Sequence, residues 1–230
     1  MVEPRLTTIR NGLLLVLAFA AGYIDALSYL GLGRVFTANM TGNTVLLGIA
    51  FAELDGAAIR RSSLALVGFL AGAAAGAWIV ERDHSDSPWP WSVTLALTLE
   101  SLLLLAFAAV WYLAQDTLAT ATTRAALIVL SALAMGVQSA AVIRLEITGI
   151  ATTYLTGTLT NLVSLLMGRS YRKSKSFRHS ALLATVWIVY IGGAVVAAVD
   201  LPRNLILTLI SPAALIIVVV TIAAIVFRPR

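Results

Sequence analysis

Apolar runs of about 20 residues alternate with short polar breaks along the whole chain, the length a helix needs to cross a bilayer. Eight apolar segments can be read: roughly 11–31, 35–52, 62–80 and 91–113 in the first half, and 122–143, 148–168, 179–199 and 205–227 in the second. In lipid every backbone N–H and C=O must be satisfied within a helix or a closed barrel, and the alternating pattern of a barrel is absent. The expected fold is an all-α integral membrane protein. It is one membrane domain over residues 1–230, made of two sequence-related halves of four apolar segments each: repeat 1 (about 11–113) and repeat 2 (about 122–227). The run after Arg5 and Arg10 superficially resembles a cleaved leader, but it continues past Ala21 and is read as the first span.

The repeat shows in order as well as in pattern. In each half a long span precedes a polar motif, and a basic loop follows it (Arg60-Arg61, then Arg169 to His179). A Gly-containing span, a Pro-containing turn (Pro88 and Pro90, then Pro202) and a strongly apolar closing span come next. The first motif, V-F-T-A-N-M-T-G-N-T-V-L-L-G, runs from Val35 to Gly48; its weaker echo, I-A-T-T-Y-L-T-G-T-L-T-N-L-V, runs from Ile150 to Val163. Thr37 aligns with Thr152, Thr41 with Thr156 and Gly42 with Gly157, an offset of 115 residues.

Taken as a helix, the first motif places Thr37, Thr41, Thr44 and Gly48 on one face, with Asn39 and Asn43 on the next strip. The second repeats that face through Thr152 and Thr156 and adds Asn161. Hydroxyls and amides offer donors and acceptors without burying charge. Two such faces meeting in the membrane would bind a small solute, with Gly42 and Gly157 allowing local breaks. The competing reading is that these groups only hydrogen-bond helices together. Gly68, Gly72 and Gly76 lie four apart on one helix face, a spacing that lets backbones approach closely; Gly192, Gly193 and Ala197 form a looser version.

Composition agrees: 60% of residues are hydrophobic and 12% charged, against roughly 25% charged in a soluble domain. With no cysteine, disulfides and thiolate chemistry are excluded. The net charge of +5 does not point to nucleic acid, because the basic residues sit in short loops at segment ends. Eight crossings would place 12 of the 16 Lys and Arg on the side of both termini; six crossings with two re-entrant or broken motif helices would place 11 there. Eight are slightly favoured, with both termini cytoplasmic. Four spans per half make the repeats parallel, three make them inverted.

Two acids fall within apolar spans, where a carboxyl is costly and usually functional. Asp25 lies late in the first span and is a candidate for the solute site; Glu100, deep in the fourth segment, is the better candidate for carrying a proton. An ion pair with Arg34 or Arg144 would be the bland account of Glu100. His84 and His179 lack a second ligand at metal spacing, and no nucleophile–base set or phosphate loop is visible, so neither a metal, a cofactor nor an enzyme is expected.

The run G-Y-I-D-A-L-S-Y-L-G-L-G-R-V-F-T-A-N-M-T-G-N-T-V-L-L-G, with T-G-T-L-T-N-L and the basic loop, resembles the YoaK-like transmembrane family, bacterial proteins of unknown function. The resemblance spans nearly the whole chain. It implies a multi-pass protein of the bacterial inner membrane and supplies no activity. The residues themselves favour a small-solute transporter or permease, with Asp25 and Glu100 as proton-coupling candidates. The alternative is a structural or regulatory membrane protein. Partners are the lipid bilayer and an unidentified small solute; a homo-oligomer is compatible with the sequence.

Overall fold

The computed structural model describes residues 4–85, 87–118, 120–145, 163 and 173–228. Among them the elements are helical: α1 (Pro4–Gly31), α2 (Met40–Glu53), α3 (Gly56–Val80), α4 (Trp91–Leu113), α5 (Ala121–Arg144), α6 (Lys173–Asp200) and α7 (Leu205–Val226), with a 3₁₀ turn at Gln115–Thr117. Six of these, all but α2, are long and apolar enough to cross a membrane. Their outer faces carry large apolar side chains such as Val67, Leu70, Trp78 and Ile225, which meet the bilayer.

The expectation of eight crossings is not met in the first half. α2 has 14 residues, about 21 Å of rise, too short for a hydrocarbon core of about 30 Å. The first motif is a broken helical segment, as in the alternative of six crossings. Its break lies in residues 32–39, ahead of Gly42. Gly33 (φ 96°) and Arg34 (φ 61°) turn the chain left-handed after α1, and Leu32 and Arg34 N–H bond the carbonyls of Ser28 and Tyr29. Asn39 then caps α2 by accepting from Gly42 N–H at 3.1 Å. At the other end, Leu54 (φ 56°) closes α2, and Asp55 caps α3 through Ala57 and Ala58 N–H. That cap starts α3 six residues before the apolar run at 62, because hydropathy marks the lipid boundary and capping marks the helix.

Two close pairs organise the bundle. α1 packs along α6 and α3 along α5, and in each pair residue numbers climb together, so the helices run parallel. Ala18 packs with Leu183 and Val186, and a Cβ at Gly22 would overlap the Tyr190 carbonyl. One at Gly193 would overlap the Phe19 carbonyl. In the other pair, a Cβ at Gly72 would overlap the Leu133 carbonyl, and one at Gly136 the Phe69 carbonyl. The glycine spacing therefore serves backbone approach. α4 and α7 run antiparallel: Trp89, just before α4, stacks on Phe227, just after α7, with centroids 5.8 Å apart. Further along, Leu105 and Tyr112 of α4 share a groove with Ile206 and Ile210 of α7.

The six long helices alternate in direction. Residues 81–85, 87–90 and Phe227 share one end, where Arg144 donates to the carbonyls of Asp83 (2.8 Å) and Ser85 (3.2 Å). The turns 32–39, 54–55, 114–118 and 201–204 share the other, where Gly31 lies against the Trp111 ring and Gly33 against Arg61.

Candidate functional site

The first motif is built around a buried carboxylate. Asp25 sits six residues before the end of α1, about 9 Å of rise into the bundle. Its Oδ1 accepts the backbone N–H of Thr37 (2.9 Å), Ala38 (2.7 Å) and Asn39 (3.3 Å). Its Oδ2 accepts the Tyr190 hydroxyl of α6. A chain that breaks inside the membrane leaves backbone donors that water cannot reach, and each unpaired one is costly. Asp25 gathers the N–H groups of Thr37, Ala38 and the N-cap residue Asn39 itself, and ties the break to α6.

Side chains complete the junction. The Ser28 and Thr37 hydroxyls lie 2.9 Å apart, both fully buried. The Asn43 amide clasps the backbone of Phe36 on both sides, accepting from its N–H at 3.0 Å and donating to its carbonyl at 2.5 Å. The Phe36 ring stacks on Tyr29, and it also covers Gly42, where a Cβ would come within 3.0 Å of it.

This arrangement divides the expected binding face. Thr37 precedes α2 and points into the protein, so it does not share a helical face with Thr41, Thr44 and Gly48. Those three lie exposed on α2, with the Thr44 hydroxyl bonded back to the Met40 carbonyl at 2.9 Å. Gly42 is packed within the first turn of α2 and is not the hinge. The structure brings Asp25, Thr37, Asn39 and Asn43 together as mutually supporting groups. Thr152, Thr156, Gly157 and Asn161 lie outside the described residues.

Glu100 stands apart. It is fully buried in α4, and neither carboxylate oxygen has a hydrogen-bond partner. The suggested arginine partners are elsewhere: Arg144 bonds the 83–85 loop, and Arg34 lies exposed in the turn after α1. Nearer the middle of the bundle, Gln138 of α5 donates to the Leu17 carbonyl of α1 at 3.2 Å.

Sequence reasoning did not find Tyr190. It sits in an ordinary apolar span, and only the neighbouring Gly192-Gly193 pair marks the place where α6 comes close to α1. The clasp by Asn43 was equally hidden, because an Asn on a helix gives no sign of which backbone it reaches.

A family described as a protein of unknown function, DUF1275, matches residues 13–223. The UPF0700 transmembrane protein YoaK of Bacillus subtilis (strain 168) is 39% identical over 197 residues, covering 84% of each chain. No solved structure matches. On these matches the chain belongs to the DUF1275 family of transmembrane proteins.

Proposed function

We propose that this chain is a small-solute transporter of the bacterial inner membrane, built of two inverted halves with its site at their junction. The observation that carries the reading is the broken α1–α2 segment, whose backbone donors converge on a buried carboxylate inside the membrane. Discontinuous helices at a repeat interface are where transporters bind substrate.

The helix contacts support the duplication. Gly22 and Gly136 are 114 positions apart, as are Phe19 and Leu133; Gly72 and Gly193 are 121 apart, as are Phe69 and Tyr190. These two glycine contacts of the α1–α6 pair thus have counterparts in the α5–α3 pair. The antiparallel α4–α7 pair fits inverted halves of three crossings each. Eleven of the 16 Lys and Arg then fall at the end that holds both termini, which the positive-inside rule makes cytoplasmic.

The exposed Thr41 and Thr44 of α2, with Thr152, Thr156 and Asn161 of the second motif, are the groups we assign to the solute. Asp25 positions the first motif. Glu100, buried with both oxygens unpartnered, is the group we assign to proton coupling. A second reading, in which the polar residues only hold helices together, is favoured by the internal hydrogen bonds of Thr37, Asn39 and Asn43.

The test is ligand-induced stabilisation of the purified protein over a set of small metabolites, followed by uptake of each hit into proteoliposomes. The transport reading expects a saturable shift in Tm, uptake that depends on the proton gradient, and loss of that dependence in Glu100→Gln. Absence of any stabilising solute, with Thr41→Val indistinguishable from wild type, supports the second reading.

A further inference from the structure

A separate feature lies at the end of the bundle that carries the 54–55 and 114–118 turns. α3 and α5 begin side by side there, and a cavity of about 120 Å³ opens between their first turns. Ala57 and Ala121 are small enough to leave it open, Leu64 forms part of its wall, and Arg60, Arg61 and Arg124 converge on it. The volume corresponds to about four waters, enough for one small oxyanion.

The donors there lack acceptors. Arg124 Nε is buried with no hydrogen-bond partner, and its Nη2 makes only a long 3.5 Å contact with the Leu118 carbonyl. The outer part of Arg61, from Cδ to the guanidinium carbon, packs beside the turn at Gly33 (φ 96°), where the missing Cβ leaves room for it. Asp55 is the acid whose charge reaches Arg61, and its Oδ1 already accepts from Ala57 and Ala58 N–H. Three arginines therefore line the cavity beside one engaged carboxylate. Because α3 and α5 are parallel, the positive ends of both helix dipoles add to the same field. Guanidinium donors in a fork match a tetrahedral oxyanion geometrically as well as electrostatically.

We propose that this cavity binds a phosphate-type oxyanion, held by Arg60, Arg61 and Arg124. Two sources carry that chemistry, a free inorganic or solute phosphate and the phosphate of an anionic lipid at the membrane interface. The site rests on this geometry alone and stands or falls independently of the transport reading.

The test uses purified full-length protein at fixed ionic strength. Inorganic phosphate is titrated while Tm is followed, with chloride as the control anion. Dioctanoyl phosphatidylglycerol is compared with dioctanoylglycerol in a second series. The expected result is a saturable rise in Tm with phosphate or with the phospholipid. That response weakens at least tenfold in apparent Kd in Arg61→Gln and Arg124→Gln and is unchanged in Arg203→Gln, an exposed arginine at the same end. A response to phosphate assigns a free anion; a response to the phospholipid alone assigns a lipid headgroup. Arg60→Gln, at an exposed position, keeps the test valid if the other variants do not fold. Equal responses in wild type and the variants, or none in wild type to either ligand, overturn the proposal.

Discussion

The Tyr190 hydroxyl donates to Asp25 Oδ2, joining α6 to α1 across 165 positions of sequence at the level where the chain re-enters the bundle. The same carboxylate holds the N–H groups of residues 37–39 through its other oxygen, so one side chain fixes both a helix contact and a backbone break.

Substitutions at this junction should be graded. Asp25→Ala leaves three backbone donors and the Tyr190 hydroxyl without their acceptor, and the loss should exceed about 3 kcal/mol. Asp25→Asn keeps an oxygen for the backbone and should cost less. Tyr190→Phe removes one bond to a carboxylate, about 1.5–3 kcal/mol. Denaturation of the purified variants should rank them in that order, Asp25→Ala being the worst. Equal stability of Asp25→Ala and wild type would contradict the junction.

Glycines should divide by what faces them. Gly22→Ala, Gly72→Ala, Gly136→Ala and Gly193→Ala each place a methyl on a neighbouring carbonyl, and each should lower Tm and folded yield. Gly12 and Gly48 have nothing within 4 Å of an added Cβ. Gly12→Ala and Gly48→Ala should be neutral or stabilising by up to about 1 kcal/mol, since alanine is the better helix former. Uniform tolerance across all six would show that α1–α6 and α3–α5 do not approach as described.

The two polar positions of the first motif should respond differently. Asn43→Leu removes both bonds to the Phe36 backbone and should destabilise the protein by about 2–4 kcal/mol, taking each lost bond with its orphaned buried partner. Thr41→Val, on the exposed face of α2, should change stability by less than about 0.5 kcal/mol. A cysteine at 41 should react with small hydrophilic reagents, and one at 43 should not. The reverse pattern of reactivity would place the solute-facing surface on the wrong side of α2.

Outside the membrane, acid should act on Asp83. The Ser85 hydroxyl and N–H, with the N–H of Ser92, hold its carboxyl down to about 2. A depressed folded value means stability that is present above the unfolded value near 3.9 and is lost as pH falls through about 2. The Tm difference between wild type and Asp83→Asn should thus be constant above about pH 5 and shrink toward zero near pH 2. A difference that does not change over that range would show that Asp83 does not anchor the 83–92 turn.

Much of the frame was legible because it rests on pattern. Apolar length gave the crossing helices, and four-residue glycine spacing marked the face of α3 that meets α5. Asp25 stood out because a carboxylate within an apolar run has few harmless explanations. The motif segment was harder. From Val35 to Ala52 its composition is continuous, so hydropathy reads one span. The break before Met40 depends on left-handed turns at Gly33 and Arg34 and on a carboxylate from another helix. Tertiary hydrogen bonds of that kind leave no period in the sequence. The arginine-lined cavity was invisible for a related reason: Arg60-Arg61 and Arg124 read as ordinary loop charge until α3 and α5 are seen to start side by side.

The absence of native cysteine makes single-cysteine labelling of intact cells the most direct test of the central claim, that the first motif re-enters and the halves are inverted. The variants are Leu54→Cys, Ser87→Cys and Ser174→Cys, all read with a membrane-impermeant thiol reagent. The account predicts that Leu54→Cys labels from outside, while Ser87→Cys and Ser174→Cys label only after permeabilisation. Labelling that puts positions 54 and 174 on one side and 87 on the other would mean that the motif crosses the membrane, and would contradict it.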